Sequence, residues 1–218
     1  MANDTALRPV LVIDTTGRWC AAALKLADGR IIQRDEAMER GQAERLAPLV
    51  GELLDEAGMV PGELWRIGVA TGPGSFAGTR AGTAFARGLA LATGAQAIGI
   101  SSLAAMALET DPEARAIVFT VHDARRGELV WQVFKGGKAA GEPVRSDVAA
   151  AREAFAATGS ALLAGSGAKL LGPSAAWVDH APLTALLALS AGASKDAPLP
   201  SPHYARPPDA ALPGGVIP

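Results

Sequence analysis

The start of the chain alternates between short apolar runs and turns, a pattern typical of β-strands. Short runs that are rich in apolar and β-branched side chains stand at residues 9–14, 21–26 and 31–34, and the pair Asp28-Gly29 separates the second run from the third. An Asp-Gly pair between apolar segments is a strong hairpin signal. The pattern therefore predicts that the chain opens with a three-stranded antiparallel meander.

A helical period follows the meander. Apolar side chains recur at intervals of three and four residues, which predicts an amphipathic helix that Gly58 terminates. These side chains are Leu46, Leu49, Val50, Leu53, Leu54 and Ala57. Pro48 has no backbone N–H and is best tolerated in a first turn, so we expect the helix to begin near residues 43–46.

Strands and helices then alternate along the chain. The pattern predicts a strand at 66–70, a helix at 80–93, a strand at 97–100, a helix at 102–109, paired strands at 116–122 and 128–134, a helix at 147–157, a strand at 161–164, a short helix at 166–171 and a helix at 182–191. We predict an α/β protein in which residues 1–105 form a first lobe and residues 106–197 form a second, smaller lobe. Residues 198–218 are rich in proline, and we expect an extended, irregular C-terminal segment.

Composition narrows the classes of function. The chain has 218 residues with 20 basic and 22 acidic side chains, a balance that argues against nucleic-acid binding by bulk charge. The single cysteine, Cys20, excludes an internal disulfide and a zinc site of several thiolates. The sequence has no uninterrupted apolar run of transmembrane length, so we expect a cytoplasmic protein without a membrane role.

Residues 71–78, Thr-Gly-Pro-Gly-Ser-Phe-Ala-Gly, form a glycine loop between a predicted strand and a predicted helix. Such a loop can present backbone N–H groups to a phosphate. Its spacing differs from a Walker A loop, because Gly78 is followed by Thr79-Arg80 rather than by lysine. Ala77 breaks the dinucleotide-binding fingerprint, and Pro73 breaks the nucleophile elbow that would support Ser75 as a nucleophile. A structural turn and a ligand loop both remain open.

The helix after the glycine loop carries a stripe of small residues. Gly78, Gly82, Ala86, Ala90 and Gly94 recur every four residues. Small side chains on one helix face let another backbone approach closely. The spacing fits packing on the protein's own sheet and docking of a partner helix equally well.

Residues with reactive or metal-binding side chains are sparse. His122, His180 and His203 lie far apart in the sequence, so we expect no metal site. Asp14, at the end of the first strand, is either the cap of a turn or the remnant of a phosphate site. The polar segment at 123–128 is either an ordinary hairpin turn or a basic contact for RNA or for a protein.

The sequence Gly-Pro-Gly-Ser-Phe-Ala-Gly-Thr-Arg-Ala-Gly at residues 72–82 resembles the signature Gly-Pro-Gly-Ser-Phe-Thr-Gly-x-Arg-x-Gly of the TsaB (YeaZ) family. Members of that family are the dimerisation subunit of the bacterial tRNA threonylcarbamoyladenosine synthase. Segments 12–16, 42–49 and 123–131 also resemble family segments, in the same order. Residues 202–206 are similar to its C-terminal Pro-x-Tyr-x-Arg. Two positions depart from the family: Ala77 replaces threonine, and Gln42 stands where many members have histidine.

The resemblance implies the two-lobed actin-like ATPase (ribonuclease H-like) fold with a degenerate nucleotide site. In that fold Asp14 would be a vestigial phosphate-site residue, with no metal bound. The residues of the loop signature are Gly72, Pro73, Gly74, Ser75, Phe76 and Gly78.

The resemblance also implies a function. We expect a non-catalytic subunit that binds and activates a catalytic paralogue, together with a P-loop ATPase subunit. The product would be threonylcarbamoyladenosine at position 37 of tRNAs that read codons beginning with adenine. ATP and metal are expected on the partner subunits and tRNA only within the complex, and the free chain is expected to form a weak homodimer. The expected partner contacts are Leu46, Leu49, Val50, Leu53, Arg80, Gly82, Ala86 and Ala90.

Two classes of enzyme are the alternatives. An actin-like ATPase or kinase would use Asp14 and the glycine loop, but no second phosphate loop with an acidic residue is evident in the second lobe. A glycoprotease-type peptidase would need a nucleophile or a metal site, and the sequence offers neither. A tRNA-binding module acting alone is disfavoured by the charge balance.

Overall fold

The computed structural model describes residues 8–173 and 181–204. The first sheet has the order β3-β2-β1-β4-β5. Its strands are β1 (Val10–Asp14), β2 (Trp19–Lys25), β3 (Ile31–Ala37), β4 (Arg66–Ala70) and β5 (Gln96–Ile100). β1, β2 and β3 pair antiparallel, whereas β4 pairs in parallel with both β1 and β5. The predicted opening meander is confirmed.

Helices cover both faces of the middle of this sheet, so β1, β2 and β4 are buried on both sides, whereas the edge strand β3 alternates between exposed and half-buried residues. Three helices pack on it or beside it: α1 (Gln42–Ala57), α2 (Phe76–Thr93) and α3 (Ser102–Thr110). Successive residues of a strand point to opposite faces. Leu11 and Ile13 accordingly pack in the core beneath α1 and α2, whereas Val10 and Val12 pack in a second core on the other face.

The second sheet has the order β10-β6-β7-β8, and β9 also pairs with β7. Its strands are β6 (Ile117–Arg125), β7 (Glu128–Lys135), β8 (Lys138–Ala139), β9 (Val144–Asp147) and β10 (Leu162–Ala164). The core on one face holds α3 residues, and the core on the other holds residues of α4 (Val148–Ala157). Two sheets of this topology confirm the predicted α/β class and the actin-like fold. No helix within residues 8–173 and 181–204 combines the length and apolar character of a membrane span.

Two helices begin earlier than the sequence pattern predicts. α2 begins at Phe76 instead of residue 80, because the Ser75 side chain accepts a hydrogen bond from the Gly78 N–H and caps the helix. α1 begins at Gln42, which places Pro48 inside the helix. Pro48 is exposed, where water can replace the missing N–H donor. The short strands β8 and β9 carry no apolar alternation and were not predicted.

The last helix, α5 (Leu183–Gly192), packs on the first sheet. The sequence places it within the second lobe, at residues 106–197. Arg66, which is buried in β4, donates to the carbonyls of Ser190 and Ala191 at 2.7 and 2.9 Å and so satisfies the end of α5. The chain therefore leaves the first sheet after β5 and returns to it. The division into lobes at residues 105 and 106 stays a prediction.

Candidate functional site

The carboxylate of Asp14 is completely buried at the end of β1, and both of its oxygens have partners. Oδ1 accepts hydrogen bonds from the N–H and the hydroxyl of Thr16, at 2.8 and 2.7 Å. Oδ2 accepts from the N–H of Ala181 at 2.8 Å. Asp14 thus shapes the strand-end turn, residues 14–16, and holds the segment that leads into α5.

The glycine loop closes directly on the strand-end turn. The Thr15 hydroxyl donates to the Gly78 carbonyl at 2.7 Å, and the Ser75 N–H donates to the Thr16 carbonyl at 2.6 Å. A Cβ atom at Gly78 would lie 1.9 Å from the Thr15 oxygen, and one at Gly74 would lie 2.5 Å from the Thr16 oxygen. Glycine is therefore required at both positions, because the two backbone segments are in direct contact there. We call this contact the clasp.

Three of the amides that could hold a phosphate already have partners within the chain. The N–H groups of Ser75 and Gly78 are used in the clasp and in the cap of α2, and the Thr79 N–H donates to the Ser75 carbonyl at 3.0 Å. The Ser75 hydroxyl serves as a helix cap. This geometry favours the structural interpretation of the loop over a ligand cradle.

Most of the predicted partner contacts lie in the protein's own core. Seven of the eight side chains are buried beneath α1 and α2: Leu46, Leu49, Val50, Leu53, Gly82, Ala86 and Ala90. A Cβ atom at Gly82 would lie 2.5 Å from Thr15 Oγ1, so the small-residue stripe packs on the first sheet. These seven side chains are not available to a partner, which corrects the prediction. An apolar period identifies the face of a helix that meets its own core. Arg80, the eighth residue, is exposed.

The opposite side of α2 is exposed and made largely of small residues. We call it the α2 outer face and define it by Ala77, Arg80, Ala84, Arg87, Gly88 and Leu91. Leu91 is 88% exposed, which is unusual for a large apolar side chain. Positions 77, 80, 84, 87 and 91 are separated by three and four residues, and this second helical period in the sequence could have indicated the face.

The two departures from the family signature fall in different surroundings. Ala77 is exposed on α2, so the hydroxyl absent there would have stood at the surface. The side chain of Gln42 donates to the carbonyls of Gly17 and Met38, at 3.3 and 3.0 Å. It fastens the first turn of α1 to the strands below.

His122 lies near the end of β6 and bonds within the second lobe. The Ser166 hydroxyl oxygen accepts from the Asp123 N–H at 3.0 Å and lies 3.3 Å from His122 Nδ1. The direction of the second contact depends on the tautomer of the ring, because the hydroxyl can donate to Nδ1 or accept from it. Burial lowers the pKa of His122 to about 4, against opposing effects of the nearby Asp123 and Asp14.

The other candidate groups remain apart. His203 lies in the C-terminal segment, and His180 falls outside the described residues. Within residues 8–173 and 181–204, no three His, Cys, Asp or Glu side chains come together as a metal site would require. Arg125 and Arg126 have left-handed backbones with φ of 68° and 55° at the tip of the β6–β7 hairpin. A tight hairpin turn is therefore shown, and a contact with RNA or protein there stays a prediction.

The known proteins that are similar to this chain carry names from one tRNA modification. The family model described as TsaD: tRNA N6-adenosine threonylcarbamoyltransferase matches residues 35–172. The chain is 34% identical over 127 residues to the tRNA threonylcarbamoyladenosine biosynthesis protein TsaB of Escherichia coli, a match that covers 58% of this chain and 54% of that protein. TsaB of Bacillus subtilis is 32% identical over 126 residues, covering 58% and 55%. The chain thus spans about half the length of the curated relatives it matches.

A solved structure extends the likeness to most of the chain. YeaZ from Pseudomonas aeruginosa superposes with a TM-score of 0.66 at 28% sequence identity, covering 84% of this chain and 90% of that one. The similarity therefore includes both sheets, and it agrees with the resemblance that the loop signature indicates.

The clasp predicts that replacing two glycines of α2 by alanine changes the free energy of unfolding in opposite directions. Gly78→Ala should lower the free energy of unfolding by about 3 kcal/mol or more, because the new Cβ overlaps the Thr15 carbonyl. Gly88→Ala, whose Cβ would meet no atom within 4 Å, should raise that free energy by about 0.5–1 kcal/mol through helix propensity. Denaturant unfolding of both variants measures the difference, and equal effects would contradict the clasp.

The lowered pKa of His122 predicts a pH-dependent stability. The unfolded chain takes up a proton on this ring near pH 6.5, but the folded protein does so only near pH 4. Stability is therefore lost as the pH falls below 6.5, by about 2 kcal/mol between pH 7.5 and 5. His122→Asn should show a correspondingly smaller loss when unfolding is measured at both pH values. A loss as large as that of the wild type would show that the ring is not held neutral.

Proposed function

The chain belongs to the TsaD-type tRNA threonylcarbamoyltransferase family and, within it, to the TsaB/YeaZ group, and from this premise we propose that it is a non-catalytic subunit in the biosynthesis of threonylcarbamoyladenosine in tRNA. It binds and activates a catalytic paralogue of the TsaD type. The modified base is adenosine 37 of tRNAs that read codons beginning with adenine.

The clasp is the observation that carries the non-catalytic part of the proposal. An acidic residue at the end of the first strand and a glycine loop are the parts with which this fold would bind metal and phosphate. Here both oxygens of Asp14 and the amides of Ser75 and Gly78 are engaged by the chain itself. Chemistry that needs ATP and metal accordingly belongs to the partner subunits, the catalytic paralogue and a P-loop ATPase.

The alternatives of an independent kinase or peptidase gain no support from the geometry. A kinase would need Asp14 and the loop amides for metal and phosphate, and Asp14 together with the Ser75 and Gly78 amides is engaged within the chain. A peptidase needs an activated nucleophile, and the Ser75 hydroxyl instead accepts a hydrogen bond from the Gly78 N–H. The tRNA contacts that the modification requires are assigned to the whole complex, because this chain carries 20 basic against 22 acidic side chains.

The α2 outer face is the surface that we assign to the paralogue. A helix face of alanine and glycine lets a second helix approach closely, and the exposed Leu91 supplies an apolar contact. The exposed Ala47 and Pro48 of the neighbouring α1 extend the same small-residue character. The paralogue belongs to the same family, so it is expected to offer related helices. This assignment replaces the buried residues that the sequence pattern suggested.

The isolated protein is expected to hydrolyse no ATP above background. The reason is the engagement of Asp14 and the loop amides within the chain. Phosphate release should be equal for the wild type and for Asp14→Ala, measured with Mg²⁺ present. An activity that the wild type shows and the variant loses would contradict the non-catalytic role.

Alanine-to-leucine substitutions at two nearby positions of α2 distinguish residues that contact the paralogue from residues that pack in the core. Ala84→Leu adds bulk to the α2 outer face, and it should weaken binding of the paralogue about ten- to a hundredfold with little change in melting temperature. Ala86→Leu adds the same bulk to a completely buried position, and it should cost about 1–3 kcal/mol of stability.

Titration calorimetry with the purified paralogue and thermal melts of each variant provide the two measurements. Sedimentation of the free protein should also show a weak homodimer that Ala84→Leu dissociates. If Ala84→Leu binds the paralogue as tightly as the wild type, the docking surface lies elsewhere and the assignment of the α2 outer face is wrong.

A further inference from the structure

The C-terminal segment at residues 199–204, which we call the strap, lies across the carboxyl ends of β4 and β5. The His203 N–H donates to the Thr71 carbonyl at 2.7 Å. A Cβ atom at Gly72 would lie 2.5 Å from the His203 oxygen, and one at Gly99 would lie 3.1 Å from the Pro200 Cα. Glycines on two different strand ends therefore admit the strap, which makes its position a specific feature of the fold.

The strap ends on the first turn of α2. The Tyr204 ring lies 4.6 Å from the Phe76 ring, between centroids. The guanidinium carbon of Arg80 lies 5.1 Å from the centroid of the same Phe76 ring. Phe76 thus connects the strap with a cation on the α2 outer face. Tyr204 remains 39% exposed, so part of its ring is at the surface beside the first turn of α2.

Arg80 and Arg87 are both exposed and stand two helical turns apart on the α2 outer face. None of the ion pairs found within residues 8–173 and 181–204 involves either side chain. Contact with an aromatic ring holds a guanidinium by its face and leaves its N–H edges available to a carboxylate. The face therefore presents cations without carboxylate partners beside alanine, glycine and leucine.

This combination fits an acidic helix better than RNA. A polyanion is bound by several cations along a polar groove, whereas the two arginines here flank small apolar positions that favour close helix contact. Two cations seven residues apart match carboxylates about 10 Å apart on a helix that runs along α2.

We propose that the strap belongs to the docking surface: Tyr204 braces Phe76, which holds Arg80 in position to bind a carboxylate of a helix on the catalytic paralogue. The inference rests on the proposed function, and it adds a positioning residue, Tyr204, and the chemistry of the partner's contact. Arg80 makes the contact, and Tyr204 acts through Phe76.

A double-mutant cycle on the full chain tests the proposal, with affinity for the purified paralogue as the readout. Arg80→Ala should weaken binding about tenfold or more, and Tyr204→Ala should weaken it about threefold to tenfold. The double variant should bind no more weakly than Arg80→Ala, because Tyr204 acts only through Arg80. Tyr204→Phe keeps the ring and should bind as the wild type does. All four variants should melt within about 2 °C of the wild type, since both side chains are exposed.

The results of this cycle distinguish a failure of the strap's role from a failure of the proposed function. If the wild type fails to bind the paralogue, the proposed function is wrong. If the wild type binds and Tyr204→Ala binds equally well, or if the two losses add in full, the strap is not part of the surface. If Arg80→Ala lowers affinity of the free protein for tRNA and leaves affinity for the paralogue intact, the cation serves RNA and the proposal is overturned.

Discussion

The hydroxyl of Thr15 reaches from the end of β1 to the Gly78 carbonyl at 2.7 Å, and the position of α2 depends on this contact. The Thr16 carbonyl of the same turn accepts a hydrogen bond from the Ser75 N–H, so two contacts hold the start of α2 on this turn. Gly78 and Gly82 are small because Thr15 occupies the space beside them. The side of α2 that faces the sheet is thereby determined, and the outer face follows from it.

The clasp and Asp14 engage polar groups at the end of β1 and in the glycine loop within the chain itself. In the first lobe the chain's own carbonyls occupy the space on which the glycine loop closes, and the carboxylate of Asp14 holds a turn and the approach to α5. On the surface of this lobe α2 presents small residues, Leu91 and two arginines, of which Arg80 lies beside Phe76 and the strap.

Local patterns in the sequence predicted the elements of the fold well. The Asp28-Gly29 turn, the apolar runs of the strands and the apolar side of α1 act over a few residues and agree with the structure. Contacts between distant segments were not predictable in the same way. The return of α5 to the first sheet depends on Arg66, and the strap depends on Gly72 and Gly99. The loop signature indicated the family, but burial alone distinguished Ala86 from Ala84.

The glycine loop is closed on the chain's own strand-end turn by the hydrogen bonds of Thr15 and Ser75. A ¹H–¹⁵N NMR titration of the isolated protein with Mg²⁺-ATP tests this directly, because it reports on each amide of the loop. If the clasp keeps the loop closed, the Ser75, Gly78 and Thr79 resonances stay in place at millimolar nucleotide and their amides exchange slowly with solvent. Saturable shifts of these three resonances would show that the loop opens to bind phosphate and would contradict a closed clasp.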